Sequence, residues 1–344
     1  MRSFIFSLTI LSTINIINSY QPTADPDGNF RIIRDYTTTA GLNFTILGDW
    51  GGFPAPWYHT PYQTSAAKLL NKISVDQNNQ FTLAIGDNFY YYGVKSLYDK
   101  AWSKTWDQTY TSTGMMKPWY VILGNHDWQG SGQTQIDYSE YDNRWTLPFQ
   151  RYTITYNFKN NISLKFILID SQAHCDVNGP KKINTDYPIP FTEENRQEQL
   201  IWLNNELENS YQDNFVFLVS HYQVHDSKGT KSCMKDIDEL MKKHKLSGHV
   251  FGHVHELSHM VSKTDEKLNY ILSGMGSVMA PNVGPKLNSN ENVDTKFRFS
   301  NIPKFKGGFV TSEVDGDLMI FRYYWAGAEK DDEPIYEFSL RSRF

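Results

Sequence analysis

The sequence contains little cysteine and no excess of positive charge. Of 344 residues two are cysteine, and 33 lysine and arginine residues are outnumbered by 38 acidic ones, giving a formal net charge of -5. A chain without a basic stripe is poorly suited to neutralise a phosphate backbone, so we expect no nucleic-acid partner. Beyond its first twenty residues the sequence also lacks an apolar run long enough to cross a bilayer, so we expect no stable membrane span.

The first residues are interpreted as a targeting signal. Arg2 precedes the apolar run Phe4–Ile17, and Ser19 offers a small residue at a plausible cleavage point. A membrane anchor is the alternative, but the run is shorter than the ~20 apolar residues that a span requires. We therefore expect a signal peptide over residues 1–19, an N-terminal lead over 20–41 and one domain over 42–344.

The two cysteines and two short motifs are consistent with export. Cys175 and Cys233 can form only one pair, and a bridge is expected in an oxidising compartment, although two unrelated buried thiols are the alternative. Asn43 and Asn161 each begin a triplet that can accept an N-glycan. We expect a protein of the secretory pathway, either secreted or kept in a lysosome-like or vacuole-like compartment.

Five apolar stretches run into residues of the types that bind metal ions. Short β-branched and aromatic runs stopped by Gly-Asp or Gly-Asn indicate buried strands. Ligands of an open α/β sheet gather beyond the carboxyl ends of such strands. We therefore expect seven side chains to converge on one crevice, namely Asp49, Asp87, Tyr90, Asn125, His221, His253 and His255.

The spacing of these residues predicts an α/β fold. Asp49 to Asp87 and Asp87 to Asn125 both span 38 residues (87−49 and 125−87). That length is enough for the ~30-residue strand-helix-strand unit that joins parallel strands.

Later segments predict a mixed sheet and a second sheet. A β-hairpin is expected from residues 151–158 and 162–170, followed by a helix capped by Thr192. A final hairpin should turn at Asp315-Gly316, and we expect the later strands to form a second sheet packed on the first. The intervening loop, Asn178–Pro190, is expected to overhang the cleft and to be open to proteolysis.

The chemistry of the seven side chains suggests two metal sites. Anionic oxygens suit a trivalent ion, whereas neutral imidazole and amide groups suit a divalent one. Asp49, Tyr90 and His255 would form the anionic half, Asn125, His221 and His253 the neutral half, and Asp87 would bridge them. The alternative is that these polar residues only cap strands and helices.

These motifs resemble those of the purple acid phosphatases, specifically the small tartrate-resistant type among the calcineurin-like metallophosphoesterases. The resemblance extends from about Asn43 to the final hairpin, and its motifs are Gly48-Asp49-Trp50-Gly51-Gly52, Gly86-Asp87-Asn88-Phe89-Tyr90, Gly124-Asn125-His126-Asp127, Ser220-His221-Tyr222 and Gly252-His253-Val254-His255. It implies two packed mixed β-sheets flanked by helices, in a four-layer sandwich. It also implies a disulfide between Cys175 and Cys233 and a loop near Asn178–Pro190 that restrains activity.

The resemblance implies an acid phosphatase that hydrolyses phosphomonoesters, either small molecules or phosphoproteins. A ferric ion would be held by Asp49, Asp87, Tyr90 and His255, and a divalent iron, zinc or manganese ion by Asp87, Asn125, His221 and His253. A hydroxide bound at this dinuclear centre would attack phosphorus. We expect the protein to act as a monomer.

Two further histidines are candidates for catalysis. His126 matches a family histidine that contacts phosphate or donates a proton. The family's tartrate-resistant members carry another histidine nearer the disulfide, and His225 is the candidate for its role in a shorter loop. The fourth and fifth motifs also depart from the family at Ser220 and Val254, neither of which is expected to be a ligand.

Two other functions stay open. One is a phosphodiesterase of the same superfamily, and the other is a non-catalytic scaffold or membrane-complex protein built on this fold. His59, His174, His244 and His249 are expected to make ordinary hydrogen bonds, and Tyr91 and Tyr92 are expected to be packing residues.

Overall fold

The structure is a computed structural model that describes residues 23–36, 41–175, 191–226, 229–277, 289–300, 305–330 and 332–344. The expected signal peptide, residues 1–19, and the whole loop 178–190 lie outside the described residues.

Seventeen strands form in the described residues, many of them rich in the β-branched and aromatic side chains that favour extended structure. In chain order they are β1 (Arg31–Tyr36), β2 (Leu42–Leu47), β3 (Phe81–Ile85), β4 (Trp119–Ile122), β5 (Trp145–Thr146), β6 (Arg151–Phe158), β7 (Ser163–Ile169), β8 (Phe215–Val219), β9 (His225–Asp226), β10 (Gly229–Thr230), β11 (Gly248–Phe251), β12 (Leu257–Ser262), β13 (Asn269–Ser273), β14 (Val293–Phe299), β15 (Gly308–Asp315), β16 (Leu318–Trp325) and β17 (Tyr336–Arg341).

The strands pair into two large mixed sheets. One has seven strands in the order β17-β16-β15-β2-β3-β4-β5, and the other has eight in the order β1-β6-β7-β8-β11-β13-β12-β14. Strands β2, β3 and β4 run parallel, as do β7, β8, β11 and β13. The hairpins β6-β7 and β15-β16 are antiparallel. Strands β9 and β10 form a small separate ribbon.

The two sheets pack face to face through aromatic side chains. Phe44 and Phe81 of the seven-stranded sheet contact Phe166 of the eight-stranded sheet, with ring centroids 5.4 and 6.0 Å apart. Phe217 of β8 contacts Phe321 of β16 at 5.8 Å in the same way. All five side chains are buried, so the main core lies between the sheets.

Strand β8 shows how the eight-stranded sheet is buried on both faces. Phe215, Phe217 and Val219 belong to the core between the sheets. The intervening Val216 and Leu218 belong to a second core on the opposite face. Because side chains alternate along a strand, the continuous apolar run of this segment is what a doubly covered sheet requires.

Five α-helices occur in the described residues: α1 (Pro61–Asp76), α2 (Gly132–Asp137), α3 (Gln172–Cys175), α4 (Glu193–Glu208) and α5 (Lys235–His244). Helices α4 and α5 supply the second core, for instance through Leu203 and Ile237. Helix α1 connects the parallel strands β2 and β3, and so covers the outer face of the seven-stranded sheet. Its amino terminus is capped by Thr60, as Thr192 caps α4. The layers are therefore helix, sheet, sheet and helix, as expected.

Two features of the topology differ from the sequence-based expectation. The final hairpin, β15-β16, joins the same sheet as β2 rather than a second sheet, because β15 pairs antiparallel with β2. The polar lead also contains an unpredicted strand, β1, which extends the eight-stranded sheet by pairing with β6. Arg31 of β1 forms an ion pair with the buried Glu206 of α4 at 2.6 Å, which fixes the lead against the domain.

The expected disulfide joins Cys175, at the end of α3, to Cys233, just before α5. Among the helices of the described residues, none combines the length and the apolar character that a membrane span needs.

Candidate metal centre

The carboxyl ends of strands from both sheets meet at one edge of the sandwich. Asp49, Asp87 and Asn125 follow β2, β3 and β4 of the seven-stranded sheet, whereas His221 and His253 follow β8 and β11 of the other sheet. The two edges are joined directly, because His221 Nδ1 lies 3.0 Å from the carbonyl oxygen of Ile85. A carbonyl only accepts, so Nδ1 carries the hydrogen and Nε2 is left free to bind an ion.

Asp87 belongs to two groups of potential metal ligands at once. In the first group, ligand atoms of Asp87, His221 and His253 all lie within 4.8 Å of one another. In the second group, the same holds for Asp49, Asp87 and His255. A carboxylate shared by two such groups suits a dinuclear site, because it can bind both ions.

Tyr90 and Asn125 each add an oxygen to one of the two groups. The hydroxyl of Tyr90 lies 3.2 Å from Asp49 Oδ1 and 2.9 Å from His255 Nε2. The amide oxygen of Asn125 lies 3.2 Å from His221 Nε2 and 3.0 Å from His253 Nδ1. All seven residues singled out by the sequence are therefore brought together, in the two sets that their chemistry suggested.

Glycines hold the ligand-bearing turns close to one another. A Cβ at Gly124 would lie 2.2 Å from Asp87 Oδ1, and one at Gly252 would lie 2.6 Å from Asp49 Oδ2. A Cβ at Gly86 would lie 2.6 Å from the His221 ring. Each of these glycines precedes one candidate ligand and touches another, so a larger residue would push the donor atoms apart.

Three of these turns carry a candidate ligand with strained backbone. Asp49, Asp87 and His253 adopt φ values of 55°, 53° and 67°, in the left-handed region that side-chain-bearing residues rarely occupy. Hydrogen bonds fix two of these turns, since Asp87 Oδ1 accepts from the backbone nitrogen of His126 and Asp49 Oδ2 from that of His253. Strained backbone held by such contacts is typical of functional sites.

Electrostatics in the cluster favour a bound cation. Burial raises the pKa of Asp87, but His221 and His126 outweigh that effect and hold it below its ordinary value. Burial lowers the pKa of His221, yet the adjacent Asp87 raises it to about 9. Burial and the neighbouring His221 lower the pKa of His253 well below its usual value. The site thus combines the buried carboxylate of Asp87 with the neutral imidazole of His253, donors that suit a metal ion.

The burial and close spacing of the oxygen donors also favour metal binding. Asp49 and Asp87 are 0 and 1% exposed. Burial and these two carboxylates raise the pKa of Tyr90 well above its ordinary value. Closely spaced anionic oxygens in a buried site are costly unless a cation compensates them. The residues therefore fit a centre that holds two cations.

The sequence matches the calcineurin-like phosphoesterase family over residues 42–257. The chain belongs to this family. Rabbit (Oryctolagus cuniculus) tartrate-resistant acid phosphatase type 5 is 29% identical over 296 residues, which is 85% of this chain and 89% of the relative. Purple acid phosphatase 3 of Arabidopsis thaliana is 26% identical over 278 residues, covering 78% of this chain and 71% of that protein. The resemblance drawn from the motifs is confirmed.

Two solved structures of similar fold are an anchor protein and a phosphatase. GAP50, the anchor in the inner membrane complex of Plasmodium, superposes with a TM-score of 0.70 at 21% identity, over 89% of this chain and 90% of that chain. Purple acid phosphatase PPD1 from yellow lupin (Lupinus luteus) seeds gives a TM-score of 0.57 at 13% identity, over 88% of this chain and 54% of that chain. At these identities both comparisons support the fold alone.

In this calcineurin-like phosphoesterase, His126 lies beside the cluster. Its ring lies 4.7 Å from that of Tyr90, and its Nδ1 lies 2.7 Å from the carbonyl oxygen of Tyr91. The carbonyl can only accept, so Nδ1 donates and Nε2 is left to carry or receive a further proton. The half-buried ring therefore lies against Tyr90, with Nε2 not engaged by that carbonyl.

His225 lies in a buried hydrogen-bond network. It is 2% exposed, and its Nε2 lies 3.0 Å from the hydroxyl of Tyr270 and 3.4 Å from Asp238 Oδ1. Its Nδ1 lies 3.3 Å from Thr230 Oγ1. Both ring nitrogens are engaged by residues that are not candidate ligands, and the catalytic role of His225 stays a prediction.

Asp127 holds two of the ligand turns together and was not singled out by the sequence. Its carboxylate is fully buried and accepts from the backbone nitrogens of Asn88, Phe89 and Gly124 and from the side chain of Gln135. The turn carrying Asp87 is thus tied to the turn carrying Asn125. The sequence signal that could have indicated this role is the position of Asp127 directly after His126 in the third motif.

Asp170 is a second buried carboxyl near the site. It follows β7, accepts a hydrogen bond from Trp128 Nε1 at 2.6 Å, and is 2% exposed. Burial raises its pKa to about 7. The neighbouring Ser171 accepts from the backbone nitrogen of Tyr222, beside His221, at 2.9 Å. These contacts support the turn that carries His221.

The remaining expectations for histidines and tyrosines have mixed outcomes. His59, His174, His244 and His249 make ordinary hydrogen bonds, as expected, with Thr109, Gln199, Asn204 and Ser220 respectively. Tyr91 packs against the rings of Tyr90 and His126, as expected, although its side chain is 37% exposed. Tyr92 is 61% exposed and contacts the Tyr91 ring.

Proposed function

We propose that this calcineurin-like phosphoesterase is an acid phosphatase that hydrolyses phosphomonoesters at a dinuclear metal centre. The observation that carries the proposal is the position of Asp87, which belongs to both groups of potential ligands. Similarity to tartrate-resistant and purple acid phosphatases over most of the chain supports the same activity.

The ligand sets follow from the two groups. Asp49, Asp87, Tyr90 and His255 would hold a ferric ion, and Asp87, Asn125, His221 and His253 would hold a divalent iron, zinc or manganese ion. Such ions supply Lewis acidity and lower the pKa of bound water. The phenol of Tyr90 is the residue that favours a trivalent ion, because a phenolate beside two carboxylates needs strong cationic compensation.

The remaining residues position the substrate and move a proton. With Nδ1 donating to Tyr91, His126 can present a protonated Nε2 to the leaving oxygen of a phosphomonoester. Asp127 keeps the turns of Asp87 and Asn125 in register through its hydrogen bonds. This pre-organisation means that the donor atoms need little rearrangement to bind ions and phosphate.

Other properties stay predictions within this proposal. We propose a monomer of the secretory pathway, secreted or held in a lysosome-like compartment, acting on small phosphomonoesters or phosphoproteins. Asn161 lies in the exposed turn between β6 and β7 and is open to an N-glycan, whereas Asn43 lies within β2 and is partly buried.

A non-catalytic scaffold is the second candidate. It is supported by the fold similarity to the Plasmodium anchor protein, whose TM-score exceeds that of the lupin phosphatase. A phosphodiesterase of the same superfamily is the third candidate. The three functions predict different metal contents and different rates of ester hydrolysis for the purified protein, so one set of assays separates them.

The test combines metal analysis, a visible spectrum and turnover at acid pH. We expect two metal ions per chain, a visible charge-transfer band, and faster hydrolysis of a phosphomonoester than of a bis-aryl diester. Asp87→Ala should lose both ions and activity, and Tyr90→Phe should lose the visible band. Tyr141→Phe, at a site 62% exposed, serves as the matched control and should behave like wild type.

Each candidate has its own outcome. Wild-type protein that binds no metal and turns over neither ester would overturn the phosphatase proposal in favour of a scaffold. Faster turnover of the diester would assign the phosphodiesterase function instead.

A further inference from the structure

The side chain of Lys231 lies beside the group of candidate ligands formed by Asp87, His221 and His253. Its Nζ lies 3.6 Å from the centre of the Tyr222 ring, in a cation–π contact. The Tyr222 ring also contacts the ring of His253, at a centroid distance of 4.4 Å and in an edge-to-face arrangement. One aromatic ring therefore connects the ammonium group of Lys231 with a candidate ligand.

The positive charge of Lys231 acts on the cluster. Burial and His221 lower the pKa of His253, and the charge of Lys231 lowers it further. A fixed cation so close to a metal site opposes the binding of metal ions. The same cation becomes favourable when an anion binds between it and the ions, because it then adds to their attraction for that anion. The position of Lys231 therefore suits the binding of an anion at the centre.

The backbone that carries Lys231 is held on both sides. Its backbone nitrogen donates to the carbonyl oxygen of Val224 at 2.7 Å. The preceding residue pairs with His225 in the ribbon β9-β10, and His225 is anchored in its buried hydrogen-bond network. Two residues further on, Cys233 forms the disulfide. The half-buried side chain thus extends towards the cluster from a fixed base.

Lys231 and His126 border different groups of candidate ligands. The His126 ring lies 4.7 Å from that of Tyr90, a proposed ligand of the trivalent ion. Lys231 instead approaches His253, a proposed ligand of the divalent ion, through the Tyr222 ring. Because His126 is proposed to protonate the leaving oxygen, the oxygens that stay with phosphorus are the ones left for Lys231 to contact.

We propose that Lys231 is a phosphate-binding residue whose ammonium group contacts a non-bridging oxygen of the phosphate on the side of His253. This inference rests on the proposed phosphatase function and adds a residue to its site. Lysine binds phosphate as a point charge, so its contribution grows with the negative charge of the ligand. Lys231 should therefore favour a dianionic phosphate group over a monoanionic one.

The test compares two ligands that differ by one negative charge. Phenylphosphonate is a dianion at mildly alkaline pH, whereas its monomethyl ester is a monoanion. Binding of each to the metal-loaded protein is measured by calorimetry, which needs no turnover. We expect Lys231→Gln to weaken binding of phenylphosphonate by about tenfold and binding of the ester by less than about threefold, because a hydrogen bond to the more highly charged group is lost. Lys231→Arg keeps the charge and should keep most of the preference for the dianion.

A matched control removes the same charge elsewhere. Lys235→Gln alters a side chain that is 70% exposed and should bind both ligands as the wild type does. Metal content is measured for each variant, and we expect Lys231→Gln to retain the wild-type content.

The outcomes separate this inference from the proposed function. An equal loss of affinity for both ligands in Lys231→Gln, no loss for either, or loss of its metal ions would overturn the phosphate-binding role. A selective loss for the dianion supports that role even if the wild-type protein hydrolyses no ester, in which case only the proposed phosphatase function fails.

Discussion

Four of the seven candidate ligands, Asp49, Asp87, Asn125 and His253, directly follow a glycine. The glycines at 86, 124 and 252 each face a donor of a different motif at a distance that excludes a side chain. The candidate ligands could be selected from the sequence alone, because the chemistry of each motif is local. Which glycine faces which donor depends on contacts between distant segments, and only the structure shows it.

Gly124→Ala tests the close packing of the turns. A Cβ there would lie 2.2 Å from Asp87 Oδ1 and 2.3 Å from its backbone nitrogen, so the bridging carboxylate must move. We expect loss of at least one metal ion and a fall in kcat/KM of roughly a hundredfold, because small misplacements of catalytic groups have effects of that size. Metal content and kinetics measure this. Full metal content with wild-type kinetics would show that the turn accommodates the methyl group.

Asp170 should make stability depend on pH. Burial raises its pKa from the ordinary value of 3.8 to about 7 in the folded protein. The folded state therefore holds this proton more tightly than the unfolded chain. Its contribution to stability is fully present below about pH 4 and is lost as pH rises through about 7, by an amount on the order of 4 kcal/mol.

Asp170→Asn removes this titration and should flatten the fall in unfolding free energy between pH 4.5 and 7.5. Urea denaturation at the two pH values measures the change. Asp76→Asn, at an exposed position, is the control and should leave the slope unchanged. Equal slopes for wild type and Asp170→Asn would contradict a protonated Asp170.

The hydrogen-bond partners of His225 could not be predicted from the local sequence. Its position after the fourth motif suggested a substitute for a family histidine, but Tyr270, Asp238 and Thr230 enclose it. Those partners come from a distant strand, from α5 and from the short ribbon, so their approach has no signature around residue 225.

At the scale of secondary structure, periodicity predicted the elements that carry strong local signals. The hairpin β6-β7, the capped helix α4 and the strands before each motif lie where the patterns placed them. Strand β1 was missed because its sequence, Arg-Ile-Ile-Arg-Asp-Tyr, has no regular alternation and lies in a polar segment. It is stabilised by pairing with β6 and by the Arg31–Glu206 ion pair. The sheet joined by β15 was also mispredicted, because strand order depends on long-range pairing.

The disulfide joins two elements beside the His221 turn and closes a separation of 58 residues. The double variant Cys175→Ser/Cys233→Ser should lower the free energy of unfolding by about 4 kcal/mol, mainly because the unfolded chain gains freedom. Urea denaturation measures the loss, and wild type under reducing conditions should show a similar one. A loss below about 1 kcal/mol would contradict a constraining role for this bridge.

At the scale of the whole molecule, two sheets form one site. The carboxyl ends of strands in the seven-stranded sheet supply Asp49, Asp87 and Asn125. The carboxyl ends of strands in the eight-stranded sheet supply His221 and His253. The two ligand groups of the proposed centre thus depend on how the sheets pack. Both groups include Asp87, so the centre should form as a unit and should be lost as one when that carboxylate is removed.

Crystallography of the metal-loaded protein with anomalous scattering at metal absorption edges tests the central claim most directly. The account predicts two ions per chain, ~3.5–4 Å apart, with one oxygen of Asp87 bound to both or one oxygen bound to each. A single ion, or two ions of which Asp87 contacts only one, would contradict it.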